Sequence, residues 1–175
     1  EFIFIMNTNV LLISPQDVRD MTNLSDNLDD CNIIPSIIDS QLIGLQSIIG
    51  TNLYDKLCSL VQSGEITDNI SYSNLFNNYI FNYLLNMVLA DMVIYNFNKQ
   101  HNVGNIQYID NSYQHNSLSD LKYLQQYYTN KATFYAERLT DFLKQNSSLY
   151  PEYKKCSEEL NPSDTANTYK CGIKL

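Results

Sequence analysis

Residues Ser71 to Lys99 constrain what this chain can fold into more than any other stretch. Its centre, Tyr79 to Phe97, reads YIFNYLLNMVLADMVIYNF and holds neither Pro nor Gly. Phe76, Ile80, Tyr83, Met87 and Ile94 recur at helical spacing, and Phe81, Leu84, Leu85, Val88, Met92 and Tyr95 cover most of the remaining circumference. A helix apolar nearly all round must be enclosed by other helices or lie in a bilayer. Asn82, Asn86 and Asp91 interrupt the stretch, and a charge at mid-span is costly in lipid. The pattern therefore predicts the central helix of a helical domain. Asn82, Asn86 and Asp91 become candidate buried polar residues, expected to hydrogen-bond between helices or between subunits.

The 175 residues suffice for one domain with a real core. Nineteen acidic against 11 basic residues give a net charge of −8. That balance lacks the basic footprint that phosphate contacts require, and it would keep DNA from sticking to a surface it slides past. Charged residues are only 17% of the chain, and there are 14 Tyr and no Trp. A Tyr-rich, uncharged polar surface suits extensive protein contacts, although an AT-rich genome alone enriches Asn, Ile and Tyr. Cys31, Cys58, Cys156 and Cys171 form no C-x-x-C pair, and neither His101 nor His115 stands at ligand spacing from them. Four reduced thiols in the cytosol are the default, with a Cys156–Cys171 disulfide as the alternative. Glu1–Ile5 is too short and lacks the basic flank of a signal peptide. Met6 is an alternative start that would make residues 1–5 non-native; the sequence leaves both open.

Taken in order, Phe2–Ile5 and Val10–Ile13 suit short extended runs, an N-terminal arm over residues 1–13. Ser14-Pro15 opens a short helix to about Thr22, with Ser14 as N-cap. A polar loop follows. Ile33 to Ile49 forms a helix with Ile34, Ile38, Leu42, Leu45 and Ile49 as its inward stripe, widened by Ile37 and Ile48, with Pro35 in its first turn and Gly50 as its stop. Asn52 to Gln62 is a second short helix, capped by Thr51 and ended by Gly64. After the central helix, Gln100–Asn116 reads as a loop in which Gly104 supplies a turn and Asn105–Asp110 alternates enough for half of a small β-hairpin. Ser117 opens a long helix, Leu118 to Gln145. Leu121, Tyr128, Tyr135 and Phe142 fall seven apart, and Leu124, Ala132 and Leu139 fill in between. This helix is expected to pack antiparallel on the central one. The expected fold is all-α: a helical bundle with a long antiparallel hairpin. The domain spans residues 1–153, and 154–175 is an extended tail.

The residue patterns that carry chemistry are missing from the sequence. The five Gly are isolated, so no phosphate loop occurs. Neither H-E-x-x-H nor G-x-S-x-G is present. Asp91 is the one carboxylate within the central apolar stretch, and it has no second acid or His beside it in the pattern. No catalytic site, metal or cofactor is expected, and the chain is not expected to be an enzyme.

Two blocks carry a family resemblance. One is Ile34–Leu57, IPSIIDSQLIGLQSIIGTNLYDKL; the other is Ser117–Tyr153, SLSDLKYLQQYYTNKATFYAERLTDFLKQNSSLYPEY. Together they resemble the head–tail connector (adaptor, or ring) proteins of tailed bacteriophages, of the crAss-like type, over about Leu12 to Tyr153. The resemblance implies a structural virion protein without catalysis. Such a chain forms a ring, usually of 12 copies, beneath the portal, and so joins head to tail. It extends the DNA channel for genome retention and ejection. Its partners would be itself, the portal protein, the next ring or tail protein, and DNA passing through the lumen without sequence-specific binding. Its place would be the virion, after assembly in the host cytoplasm, with no membrane contact. The family has no residue motif to carry over, so docking is expected at segment level, in the arm, the 100–116 loop and the tail. The candidate interface residues there are Phe2, Phe4, His101, Ile106, Tyr108, Tyr113, Leu160, Tyr169, Ile173 and Leu175. The alternative is a small cytosolic helical regulator that binds a protein partner as monomer or dimer.

Overall fold

The computed structural model describes residues 10–22, 29–97, 100–101, 104–105, 118–154 and 161–162. The fold is all-α, a mainly helical bundle. Its elements are α1 (Pro15–Asp20), α2 (Asp30–Asp39), a first π segment (Ser40–Leu45), α3 (Gln46–Ile49), α4 (Thr51–Ser63), α5 (Ile70–Leu75), a second π segment (Phe76–Ile80), α6 (Phe81–Phe97) and α7 (Leu118–Gln145).

Local chemistry sets the element ends. Ser14 caps α1 in a reciprocal box: its hydroxyl accepts from Asp17 N at 3.1 Å, and the Asp17 carboxylate accepts from Ser14 N at 2.8 Å. Pro15 stands at the first helical position, where its missing N–H costs nothing. Gly50, at φ 81°, ends α3 and begins α4, a backbone conformation that favours glycine. It thus does the capping expected of Thr51, which lies inside α4 and accepts a bond from Gln46 Nε2 at 3.1 Å. Gly64, at φ 76°, closes α4 in the left-handed conformation.

α2 begins at Asp30, three residues before the expected Ile33, so Pro35 lies inside the helix rather than in its first turn. Of the expected stripe, Leu45, Ile49 and the flanking Ile37 and Ile48 are buried together with Ile33, whereas Ile34 and Ile38 are half-buried and Leu42 is 39% exposed. The place of Leu42 on the inward face is taken by Gln41 and by Ser36, Ser40 and Gly44. These small residues let α6 come close: a Cβ on Gly44 would lie 2.5 Å from the Tyr83 hydroxyl.

α6 is enclosed as its composition demands. Tyr83, Leu84, Val88, Leu89, Ala90 and Met92 are buried on several sides of it, and α6 packs against α2, the first π segment and above all α7. The α5–α6 stretch and α7 run antiparallel. Tyr72 meets Tyr150 edge-on at 5.5 Å, and seven residues further on Tyr79 stacks on Phe142 at 4.4 Å. The inward face of α7 is Ala132, Ala136, Leu139 and Leu143; Tyr128, Tyr135 and Phe142 are half-buried, and Leu124 is 37% exposed.

A two-residue antiparallel ladder joins Gln100–His101 (β1) to Gly104–Asn105 (β2), pairing Gln100 with Asn105 and His101 with Gly104. Gly104 is thus in the ladder, not in the turn. One core cluster runs from Leu12 to Tyr150, with Tyr153 packed against it.

Candidate interaction surfaces

Of the sequence-derived interface residues, Phe2, Phe4, Ile106, Tyr108, Tyr113, Leu160, Tyr169, Ile173 and Leu175 lie outside the described residues, and His101 is placed by its backbone in β1. The three polar residues of the central helix divide. Asn86 is buried, but its amide donates to Asn82 O of the same helix at 2.7 Å, not to a neighbouring helix. Asn82 is only half-buried. An amide one turn from a carbonyl satisfies itself locally, so the expected inter-helix bond is not needed. Asp91 is the exception. One of its carboxylate oxygens is buried without a hydrogen-bond partner among the described residues.

Asp91 helps line a cavity of about 110 Å³ with Asp39, Ser40, Ile43, Gly44 and Met87. Burial pushes its carboxyl above the usual carboxylate range, and the Asp39 charge adds to this. The Ser36 hydroxyl draws it down in part, short of a well-formed hydrogen bond. Ser40 is 3% exposed, and its hydroxyl has no partner among the described residues. The cavity is therefore mostly apolar, with two acids and one unpartnered hydroxyl in its wall and no cation among its lining residues. Sequence spacing could not show it, because Asp39 and Asp91 are 52 positions apart and meet only where α2 crosses α6.

A second site is structural. The Gln41 amide is fully buried and reads the backbone of the N-terminal segment as a strand would. Its carbonyl accepts from Leu12 N at 2.7 Å, and its Nε2 lies 3.0 Å from Val10 O and 3.2 Å from Tyr54 Oη. The π segment turns Gln41 inward to make this clamp. Tyr54, pushed up to about 12 chiefly by burial, stays protonated as the clamp needs. Leu12 and Ile13 complete the anchor as buried apolar residues. The root of the arm is thus held at a defined point on the body.

The third surface is the outer face of α7. Tyr123, Tyr127 and Phe134 are 75%, 45% and 53% exposed. Lys131 and Arg138 share their face, all five within roughly 80° of arc at about 100° per residue. The Lys131 ammonium lies 4.8 Å from the Tyr127 ring centre, and the Arg138 guanidinium 5.6 Å from that of Phe134 and 5.8 Å from that of Tyr79. Seven-residue spacing pointed to the inward seam of this helix and passed over the aromatic stripe on its other side.

Among the described residues, no three His, Cys, Asp or Glu side chains come together to hold a metal ion. No helix there is long and apolar enough to cross a membrane. Cys31 is exposed and Cys58 half-buried, both as free thiols; burial raises the Cys58 thiol.

The fold and its surfaces define a small helical protein whose most developed features are an anchored arm, an acidic cavity and an exposed aromatic stripe. Residues 45–161, more than half of the chain, match the family of unknown function DUF6712, and the protein belongs to that family. Comparison with curated proteins and with solved structures gives no match to either.

Proposed function

We propose that this chain is a structural virion protein, a head–tail connector that forms a ring beneath the portal of a tailed phage. The observation that carries the reading is the exposed aromatic stripe of α7, with Tyr123 at 75% and Phe134 at 53%. Large rings are costly to leave in water on a helix face, and a contiguous patch of them marks a protein contact. The connector-like blocks Ile34–Leu57 and Ser117–Tyr153 support the same reading, and so does the clamp that fixes the root of the arm. A ring subunit needs a rigid body with contact faces and arms that reach its neighbours. In this role the chain assembles with itself, and meets the portal above and the next ring or tail protein below. The net charge of −8 suits a lumen that passes DNA without gripping it.

Quantitative mass spectrometry of purified particles tests the proposal. The expected result is a virion component at about a dozen copies, the count of the ring to which the family resemblance points. Absence from particles overturns it. A chain that is absent from particles and dimeric in solution would favour the cytosolic regulator instead.

A further inference from the structure

We propose that the cavity between α2 and α6 receives the Lys131 ammonium of a second copy, so that the α7 stripe of one subunit docks on the next. This deepens the ring proposal and rests on it.

The cavity presents three acceptors: the carboxylates of Asp39 and Asp91 and the hydroxyl of Ser40. A lysine ammonium brings three N–H donors and accepts nothing. Two of those acceptors, the buried Asp91 oxygen and the 3%-exposed Ser40 hydroxyl, have no partner among the described residues. Buried polar groups left so are costly, a carboxylate most of all. The groups that act on the charge of Asp91 are Ser36 and Asp39, and neither is a cation. The volume of about 110 Å³ admits the end of one side chain and not a folded segment.

The stripe matches this surface in sign. Lys131 stands in it between Tyr127 and Phe134, on an exposed face. Arg138 lies over two rings and Lys131 over one, Tyr127, whose exposed ring would travel with the lysine to the contact. One lining residue, Ile43, is 47% exposed and offers an aliphatic surface against which the stripe's rings can pack. No residue of the stripe lines the cavity, so the two patches are different surfaces of one chain. Such a contact is heterologous: each copy gives a lysine to one neighbour and takes one from the other, which is how a closed ring propagates.

The test uses the full-length chain at high concentration with Ile43→Cys and Phe134→Cys introduced together, and the unsubstituted chain as control for the native thiols. Oxidation should yield a ladder of dimer, trimer and higher species. Lys131→Glu should lower the yield by about tenfold or more, since removing one partner of a desolvated charge pair costs more than 1.4 kcal/mol. Adding Asp39→Lys to that variant should restore it, with circular dichroism confirming that each variant is helical. Dimers from Phe134→Cys alone would mean that stripe packs on stripe, and would overturn the proposal. A chain found in particles at about a dozen copies but giving no ladder would overturn this contact and leave the ring reading standing. No ladder and no chain in particles would overturn both.

Discussion

Gly44 and Asp91 are the two residues whose identity decides most at the surface where α2 meets α6. Gly44 has no side chain because the Tyr83 hydroxyl occupies the place of its Cβ, 2.5 Å away, while the next ring atom is 3.5 Å away. Gly44→Ala should therefore destabilise the protein by about 1–3 kcal/mol, the usual cost of overpacking. Tyr83→Phe in the same chain should recover part of that loss, because it removes the one atom that clashes. Thermal melts of the single and double variants read the coupling directly. Asp91 behaves differently because its charge is the problem. Its folded pKa is raised above the ordinary value of 3.8, first by burial and then by Asp39. Below that ordinary value both folded and unfolded chains are protonated, and the residue contributes nothing. As pH rises through the folded pKa, the unfolded chain ionises more easily, so the native state loses stability. Asp91→Asn should raise the melting temperature of the unassembled chain near neutral pH and leave it unchanged in strong acid. A melting series across that range checks both limbs. The same substitution should weaken the cross-linked ladder, because the cavity then lacks a charge to meet Lys131.

At the scale of elements, the π segment Ser40–Leu45 does most to organise the molecule. A π turn inserts a residue into the helical register and often marks a functional site. Here it sends Gln41 inward to the arm and Leu42 outward to the surface. Replacing Gln41 by Leu keeps the volume but removes the amide's bonds to Val10 O and Leu12 N. The Leu12 amide would then be buried unpaired, a loss of about 2–3 kcal/mol. Hydrogen exchange at Leu12 should accelerate more than exchange in α6, which separates release of the arm from general destabilisation. Helix ends were readable from the sequence where a local rule governs them. Ser14 with Pro15, Gly50, Gly64 and the span Leu118–Gln145 are set by capping, by glycine's freedom at positive φ or by an unbroken helical pattern. Neither π segment was readable from spacing; the first holds Gln41, which bonds the arm, and Gly44, which lies against Tyr83. For the same reason Leu42 was expected inside and lies outside.

At the scale of the whole molecule, Tyr150 and Tyr153 close the packed body among the described residues. The Tyr150 ring is 1% exposed, and its hydroxyl donates to Ser71 O at 2.9 Å, which ties the end of α7 back to the start of α5. The Tyr72 hydroxyl donates to Glu152 at 2.6 Å, two residues further on. Residues 163–175 lie beyond both this closure and the family match. Deleting them should leave the helical spectrum and the melting temperature as in the intact chain, and should lower incorporation into particles if the tail docks the ring. Normal incorporation of the shortened chain would show that the tail has no part in docking.

The division between sequence and tertiary structure follows from the range of the forces involved. A helix apolar on nearly every side must be enclosed, and a patterned helix of about seven turns follows it to enclose it; each of these needs only the order of residues near one another. The all-α class, the central position of α6 and its antiparallel partner α7 were legible on that ground. What surrounds Asp91 was not. Its neighbour Asp39, the unpartnered hydroxyl of Ser40 and the cavity they share come together only because the first π segment, at Gly44, packs closely on α6. The stripe of Tyr123, Tyr127 and Phe134 became a surface only once Ala132, Ala136 and Leu139 were seen to face the core. Periodicity places residues on a common face, but only the packing of one helix against another decides which face meets water.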